Sequence, residues 1–170
     1  KQVELEPEKL KKIITSYFSV VSIVLDADDN PYLVFESLNA KGRPLTQADL
    51  IRNYFFMRIH VDKQEEVYKT YWQPMQSALN DDLTEYIRHY LMKGGNIIKQ
   101  GDVYYALKES VSTTNAIDYL KELKKFSVYY QRLKFPEFEP EPELQKLFRR
   151  LNRIEVTTAY PLLLNFYSNY

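Results

Sequence analysis

The sequence predicts a mainly α-helical protein, a helical bundle with one short strand near its N-terminus. From Pro31 onward, apolar residues recur three and four positions apart, which is the spacing of helices that bury one face. The β-branched run from Val20 to Leu25 is the one stretch with the length and composition of a buried strand. Gly, Asn, Asp and Pro interrupt the helical pattern, as expected for several helices joined by turns.

The first elements are predicted to be a helix, the strand and a second helix. "LEPEKLKKIITSYFS" has Pro7 near its first helical position. Its apolar residues share one face, and they are Leu10, Ile13, Ile14 and Tyr17. After the strand, Asn30 and Pro31 predict the start of a helix that runs to about Ala40. Gly42 follows where a left-handed C-cap residue belongs.

The rest of the chain is predicted to be helical. Thr46 and Asp49 form a capping-box pattern, which opens a helix running to about Ile59. Trp72, two residues before Pro74, is expected to anchor the core beside a helix irregularity. Helical spacing continues in "KQEEVYKTYWQPMQSALN", "DDLTEYIRHYLMKGG", "GDVYYALKESV", "NAIDYLKELKKFSVYYQRLKF", "PELQKLFRRLNRI" and "TTAYPLLLNFY". The acidic, Pro-rich stretch "PEFEPEPE" has the composition of a linker.

Composition excludes several kinds of function. The 170 residues are enough for one domain with a hydrophobic core. Lys and Arg together number 23, as do Asp and Glu, so no net charge draws the whole chain to nucleic acid or anionic lipid. Without Cys the chain can form no disulfide and has no thiolate nucleophile, which favours a cytoplasmic protein. The two His are too far apart in sequence for a recognisable metal-site spacing. The abrupt ends of the sequence lead us to expect a fragment of a longer protein.

The turn "LNAKGRPLT" is the main candidate for a ligand site. Backbone N–H groups at the start of the following helix, together with the helix dipole, favour an anion such as phosphate, and Arg43 adds a positive charge. Asp49, Arg52 and Asn53 lie within an arc of about 100° on that helix, so its polarity is confined to the end near the turn. The same pattern also fits a plain connector, in which the turn residues only cap two helices and Arg43 is solvated.

A long stretch resembles the signature of the DUF262 family, domains of unknown function at the N-terminus of GmrSD-type restriction enzymes: "VSIVLDADDNPYLVFESLNAKGRPLTQADLIRNYFF". In that family a strand leads into a helix pair with the pattern Phe-x-x-Leu-Asn-x-x-Gly-x-x-Leu-(Thr/Ser)-x-x-Asp-Leu-(Ile/Leu)-(Lys/Arg)-Asn. The matching positions here are Phe35, Leu38, Asn39, Gly42, Leu45, Thr46, Asp49, Leu50, Ile51, Arg52 and Asn53. Weaker similarity continues through "VYKTYWQPMQ" and "YIRHYLMKGGNIIKQGDVYYALK".

The resemblance implies the back part of a truncated ParB-like α+β domain, of which the short strand is the remainder, followed by a helical lobe. Residues 1–60 are then the end of the nucleotide-binding domain, carrying the FxxLNxxGxxLTxxDLIRN signature, and residues 61–170 form the α-helical lobe. The family's Asp-Gly-Gln-Gln-Arg motif, linked to nucleotide binding and hydrolysis, is absent. The paired His of the HNH nuclease domain that many members carry is absent as well. We therefore expect this chain alone to be non-catalytic, with no cofactor or metal of its own.

For the intact protein, the resemblance implies an NTP-dependent endonuclease that restricts modified or foreign DNA in phage defence, using a nucleoside triphosphate with Mg²⁺. The turn from Asn39 to Arg43 is similar in layout to a stretch that contributes to the nucleotide pocket of ParB-like proteins, so the resemblance favours a nucleotide as the ligand of the polar turn and helix start. The candidate nucleotide-binding residues are Asn39, Gly42, Arg43, Asp49, Arg52 and Asn53. The expected partners are the N-terminal and C-terminal domains of the same chain, DNA, and a second copy of the protein. No membrane association is expected.

A basic run and the helical character of the whole chain leave alternatives open. The segment "FRRLNRI" carries three Arg that suit contact with nucleic-acid phosphates, namely Arg149, Arg150 and Arg153. The same run also suits a solvated face opposite a core face, which is formed by Leu147, Phe148, Leu151 and Ile154. For the whole chain, the alternative function is an α-helical protein–protein interaction or dimerisation module.

Overall fold

The computed structural model describes residues 6–19, 22, 24, 45–111 and 115–167. Every regular element within these residues is helical, which confirms the mainly α-helical class. The predicted strand, apart from two isolated positions, and the predicted helix from Pro31 to Ala40 lie outside the described residues. The α-helices are α1 (Pro7–Tyr17), α2 (Gln47–Met57), α3 (Val61–Val67), α4 (Gln73–Leu79), α5 (Leu83–Met92), α6 (Val103–Val111), α7 (Ala116–Lys134), α8 (Pro142–Arg153) and α9 (Tyr160–Tyr167).

The first helix, α1, forms where the sequence predicts it, with Pro7 as its first residue. Pro suits this position because its missing N–H would have no helical partner there. None of the residues of α1 is buried, although its apolar residues share one face. Within the part of the chain that the structure describes, the buried core residues therefore come from α2 and the elements after it.

The capping box predicted at the start of α2 is present. The hydroxyl oxygen of Thr46 accepts a hydrogen bond from the backbone N–H of Asp49 at 3.1 Å, and the Asp49 carboxylate accepts one from the N–H of Thr46 at 3.3 Å. The helix ends at Met57, close to the predicted end. Beyond it, the side-chain amide of Gln64 donates to the carbonyl oxygens of Phe56 and Ile59 at 2.8 and 3.0 Å, which satisfies groups that a helix end leaves unpaired.

A π-helical turn, Tyr68–Trp72, joins α3 to α4. Pro74 has no N–H to donate, and its ring would clash with the carbonyl four residues earlier in a regular helix. The wider turn just before it, in which the N–H of Gln73 donates to the carbonyl oxygen of Tyr68, relieves this clash. Trp72 is fully buried. Both predictions for this segment, the core anchor and the irregular helix, are confirmed.

The longest described helix, α7, lies at the centre of the bundle and packs against α4, α5, α8 and α9. Its buried positions recur three and four residues apart, and Leu120, Leu123 and Leu133 are fully enclosed. Burying a side chain of this size contributes about 1.5–3 kcal/mol. From α2, Ile51 and Phe55 enter the same core.

The stretch "PEFEPEPE" is not an open linker, contrary to its composition. It contains a 3-10 turn, Pro136–Phe138, and both Pro136 and Glu139 are buried. Its last part already belongs to α8, because Pro142 occupies the first helical position. The stretch is a packed connection between α7 and α8.

The core face predicted for α8 is only half correct. Phe148 is buried and Leu151 packs against the core. Leu147 and Ile154 are exposed instead. Helix α8 lies at the edge of the bundle, and the face that other helices contact is narrower than the face on which its apolar residues recur.

A buried polar cluster joins α5 to α7. His89 is 1% exposed; its Nε2 lies 3.1 Å from Oε1 of Glu85, and its Nδ1 lies 3.3 Å from the hydroxyl of Tyr130. This geometry suits a neutral ring that donates Nε2–H to Glu85 and accepts the Tyr130 proton at Nδ1. A hydrogen bond from Arg88 Nε to Glu85 Oε2, at 2.9 Å, helps to hold the pKa of Glu85 below its usual value. Burial, only partly offset by the Glu85 charge, lowers the pKa of His89 to about 4.

Candidate functional site

A concave cavity of about 320 Å³ opens beside the polar start of α2. Its walls come from the start of α2, from Trp72 of the π-helical turn together with α4 and the turn after it, and from the start of α5. The residues that line it are Thr46, Ala48, Asp49, Arg52, Trp72, Gln76, Asn80, Asp81, Leu83 and Thr84. The volume is at the small end of the range of roughly 300–1,000 Å³ that is typical of ligand pockets.

The polar groups at the start of α2 are largely engaged with one another. Asp49 receives the hydroxyl hydrogen bond of Thr46 at 2.8 Å and pairs with Arg52 at 3.2 Å. The backbone N–H of Ala48 donates to the hydroxyl of Thr84 on α5 at 3.3 Å. At least two amide groups of this helix start, those of Ala48 and Asp49, are therefore already paired, and an incoming anion would rely on side chains as well as on the helix dipole.

Arg52 lies between two concave surfaces. It lines the cavity described above, and it also lines a shallower hollow of about 570 Å³ on the other side of α2, together with Asn53 and residues of α3. About 31% of its side chain is exposed, as is that of its partner Asp49. An ion pair of this exposure is weak, so the guanidinium can exchange Asp49 for another acceptor at small cost.

The opposite wall of the cavity is built around a sharp end of α4. Asn80 has φ +43° and ψ −116°, a backbone conformation outside the left-handed helical region that a non-glycine residue adopts only at some strain. This turn stops α4 and places Asp81 on the cavity wall. The indole of Trp72 is held by a hydrogen bond from Nε1–H to Oε1 of Gln76, at 3.1 Å. The wall therefore combines a fixed aromatic ring with amide and carboxylate oxygens.

The structure brings together only part of the site that the sequence predicts. Asp49 and Arg52 share one cavity, while Asn53 faces the second hollow. The remaining predicted residues lie outside the described part of the chain, namely Asn39, Gly42 and Arg43. The residues that sequence reasoning missed are Gln76, Asn80, Asp81 and Thr84. They are 30 to 38 positions from Thr46 in sequence, and no local pattern indicates that they lie beside α2.

The basic residues of α8 lie on its solvent side. Arg149, Arg150 and Arg153 are all exposed, and Lys146 joins them within an arc of about 100°. Among the described residues, none of these four takes part in an ion pair. This arrangement is compatible with a solvated face and with phosphate contacts.

The buried His89 cluster is separate from the cavity, since neither His89 nor Glu85 lines it. In the part of the chain that the structure describes, no group of three or more His, Cys, Asp or Glu could hold a metal ion. No helix of that part is long and apolar enough to cross a membrane.

The fold and the cavity together define an α-helical bundle with a small polar pocket at a helix start. Comparison with protein-family models, curated proteins and solved structures finds no match to this chain.

Proposed function

We propose that this chain is the helical part of a DUF262-type protein that restricts modified or foreign DNA in a nucleotide-dependent way. The intact protein would act in the cytoplasm, and this chain by itself would be non-catalytic. The start of α2 would hold part of the nucleotide. The observation that carries this proposal is the position of Arg52 on a polar cavity that Trp72 also lines.

The chemistry of the cavity suits the polar parts of a nucleotide. A phosphate oxygen can replace Asp49 as the acceptor for Arg52, and hydrogen bonds between two charged groups are about twice as strong as neutral ones. The volume of about 320 Å³ suits a portion of a nucleotide, and the turn from Asn39 to Arg43 would supply the remaining contacts.

Because the cavity has two carboxylates, a phosphate that binds there would need a cation beside it. Asp49 and Asp81 would repel a nucleoside triphosphate that entered without one. Mg²⁺ is commonly held by one or two carboxylates together with substrate phosphates, and this donor set fits. Asp81 is the better ligand, since Asp49 is engaged by Thr46 and Arg52.

The single Trp of the sequence provides a direct test. We expect Mg²⁺ with ATP or GTP to change the fluorescence of Trp72 in a saturable way, and we expect EDTA to abolish the change. Arg52→Ala should raise the Kd about tenfold or more, because a hydrogen bond to a charged group contributes about 1.5–3 kcal/mol. Lys63→Ala, an exposed cation on α3, should leave the Kd unchanged.

The intact protein provides the second part of the test. Asn39→Ala and Arg52→Ala should each weaken nucleotide-dependent DNA cleavage with little change in melting temperature. If they lower the melting temperature while activity per folded molecule is intact, or if no triphosphate changes the fluorescence, the turn is a connector and the nucleotide proposal is wrong.

A second candidate function is an interaction or dimerisation module. It is favoured by an apolar groove of about 440 Å³ between α8 and α9, lined by Leu144, Phe148, Leu163, Phe166 and Tyr167. Exposed grooves of this character are typical of protein-binding surfaces.

A further inference from the structure

The chain exposes two apolar surfaces, a groove and the face of a helix. One is the groove between α8 and α9, whose lining is apolar apart from the edge of Tyr167. The other is the face of α1, on which Leu10, Ile13, Ile14 and Tyr17 are all exposed. These four residues follow the i, i+3, i+4, i+7 spacing with which amphipathic helices bind in hydrophobic grooves.

The charges beside the two surfaces are also complementary. The apolar face of α1 lies between Lys9 on one side and Lys11 on the other, and the helix carries three Lys against one Glu. The segment that leads into the groove, residues 136–143, carries four Glu and no basic residue. A helix with flanking lysines therefore fits a groove with an acidic end.

Glu139 is the strongest indication that a cation is expected at the groove. Its side chain is buried, with 6% exposure, and its Oε2 accepts a weak hydrogen bond of 3.5 Å from the hydroxyl of Tyr167, a groove residue. Burial, together with the Glu139 charge, raises the pKa of Tyr167 to about 12, so this hydroxyl remains a donor. Among the described residues, no Lys or Arg pairs with Glu139 within 4.0 Å. The backbone N–H of Glu141 also donates to Oε1 of Glu139, at 3.1 Å, so the carboxylate has hydrogen-bond donors but no paired cation. A lysine delivered with the docking helix would stabilise this buried charge.

We propose that α1 of a second copy binds in the groove between α8 and α9, with its apolar face on Phe148 and Phe166 and a flanking lysine near Glu139. The proposal rests on the second candidate function and names its partner. Because each copy carries one helix and one groove, reciprocal exchange about a two-fold axis uses both surfaces of both copies and gives a closed dimer.

The test is the oligomeric state of the full chain, measured by sedimentation velocity and light scattering over a range of concentrations. We expect a concentration-dependent dimer. Ile14→Asp on α1 and Phe166→Asp on the groove should each raise its Kd at least about tenfold, because each places a charge at the centre of the interface. Both side chains are about half exposed in the single copy, at 54% and 52%, so neither change should unfold it. Val61→Asp, at a 70% exposed apolar residue of α3, is the control and should leave the Kd unchanged.

Mixing the two disrupted variants tests the exchange itself. The Ile14→Asp copy keeps an intact groove and the Phe166→Asp copy keeps an intact α1, so the mixture can form one of the two contacts. We expect a mixed dimer that is weaker than the wild-type dimer and tighter than either variant alone.

A charge-specific variant tests the role of Glu139. Glu139→Gln keeps the acceptor for the backbone N–H of Glu141, which is 3.1 Å away, and removes the charge. It should weaken the dimer several-fold and reduce its dependence on salt. Glu137→Gln, an exposed carboxylate in the same segment, should have a smaller effect.

Three results would overturn the proposal: a wild-type chain that stays monomeric at high concentration, a dimer that survives both Asp substitutions, or a mixture that forms no mixed dimer. A monomer in which α1 cross-links to its own groove would also exclude the second copy as the occupant. None of these results bears on nucleotide binding, because neither α1 nor the groove lines the cavity beside α2.

Discussion

Lowering the pH from about 7.5 to about 5.0 should destabilise the bundle through His89. In the folded chain this ring is buried among charged and titratable groups from the helices around it. These are Glu85 and Arg88 on α5, Tyr130 and Lys134 on α7, and Tyr160 on α9. Burial lowers its pKa to about 4, against 6.5 for an ordinary histidine. The unfolded chain therefore binds a proton at a pH at which the folded chain does not.

The sign and the size follow from linkage. Because the folded-state pKa is the lower one, the stabilising effect of the neutral ring is fully present above pH 6.5 and is lost as the pH falls toward 4. The free energy of unfolding should drop by about 1.4 kcal/mol for each pH unit inside this window, and by about 2 kcal/mol in total at pH 5.0. Glu85 causes a further loss of folding stability at lower pH. Its pKa is held below the usual value, so the stability that its charge contributes disappears only as the carboxylate is protonated.

The assay is urea unfolding followed by circular dichroism at several pH values. His89→Gln keeps a side chain that can form hydrogen bonds but does not titrate in this range. The variant should be less stable at neutral pH and should lose about 2 kcal/mol less than the wild type between pH 7.5 and 5.0. His60→Asn is the matched control, since His60 is the only other histidine, is largely exposed, and caps α3 in a way that Asn can reproduce.

Equal pH dependence of the wild type and His89→Gln would refute the reasoning, because the titration would then belong to other groups. A pH dependence that His60→Asn removes would refute it as well. In an NMR titration of the folded chain, the His89 ring should be no more than about one-tenth protonated at pH 5, as a pKa near 4 requires.

Two further predictions concern stability. Asn152→Ala should lower the free energy of unfolding by about 2–3 kcal/mol, because the Asn152 amide donates to the last two carbonyl groups of α7 at 2.9 and 3.1 Å and its oxygen accepts from Tyr160 at 2.6 Å. The control, Arg153→Ala, should change the free energy of unfolding by less than about 0.5 kcal/mol. Similar losses for both variants would contradict this role of Asn152. Asp49→Ala should cost on the order of 1 kcal/mol through loss of the capping box, measured by urea unfolding, and a loss above about 3 kcal/mol would mean that Asp49 does more than cap α2.

The features that sequence reasoning predicted correctly depend on neighbours within one helical turn. Thr46 and Asp49 are three residues apart and bond to each other whatever surrounds them. The missing N–H and the ring of Pro74 act on residues just before it, so the irregular turn at Tyr68–Trp72 follows from the order of residues alone.

The errors occur where burial depends on distant parts of the chain. "PEFEPEPE" has the composition of a linker, yet Glu139 is buried because α8 and α9 pack back over the end of α7. Leu147 and Ile154 continue the apolar pattern of α8 and are exposed, because no helix of the described residues covers that part of its face.

The sequence by itself determined the helical class and the starts of α1 and α2, because periodicity, caps and proline act over three or four residues. Only the tertiary structure decided which faces meet. Thr84 bonds to α2 across 36 positions of sequence. Asp81 joins Arg52 in one cavity because α4 ends just before Asn80 and the chain continues as α5, which packs beside α2. Such contacts depend on the packing of the whole bundle, in which every helix competes for the same core, and no short stretch of residues encodes that arrangement.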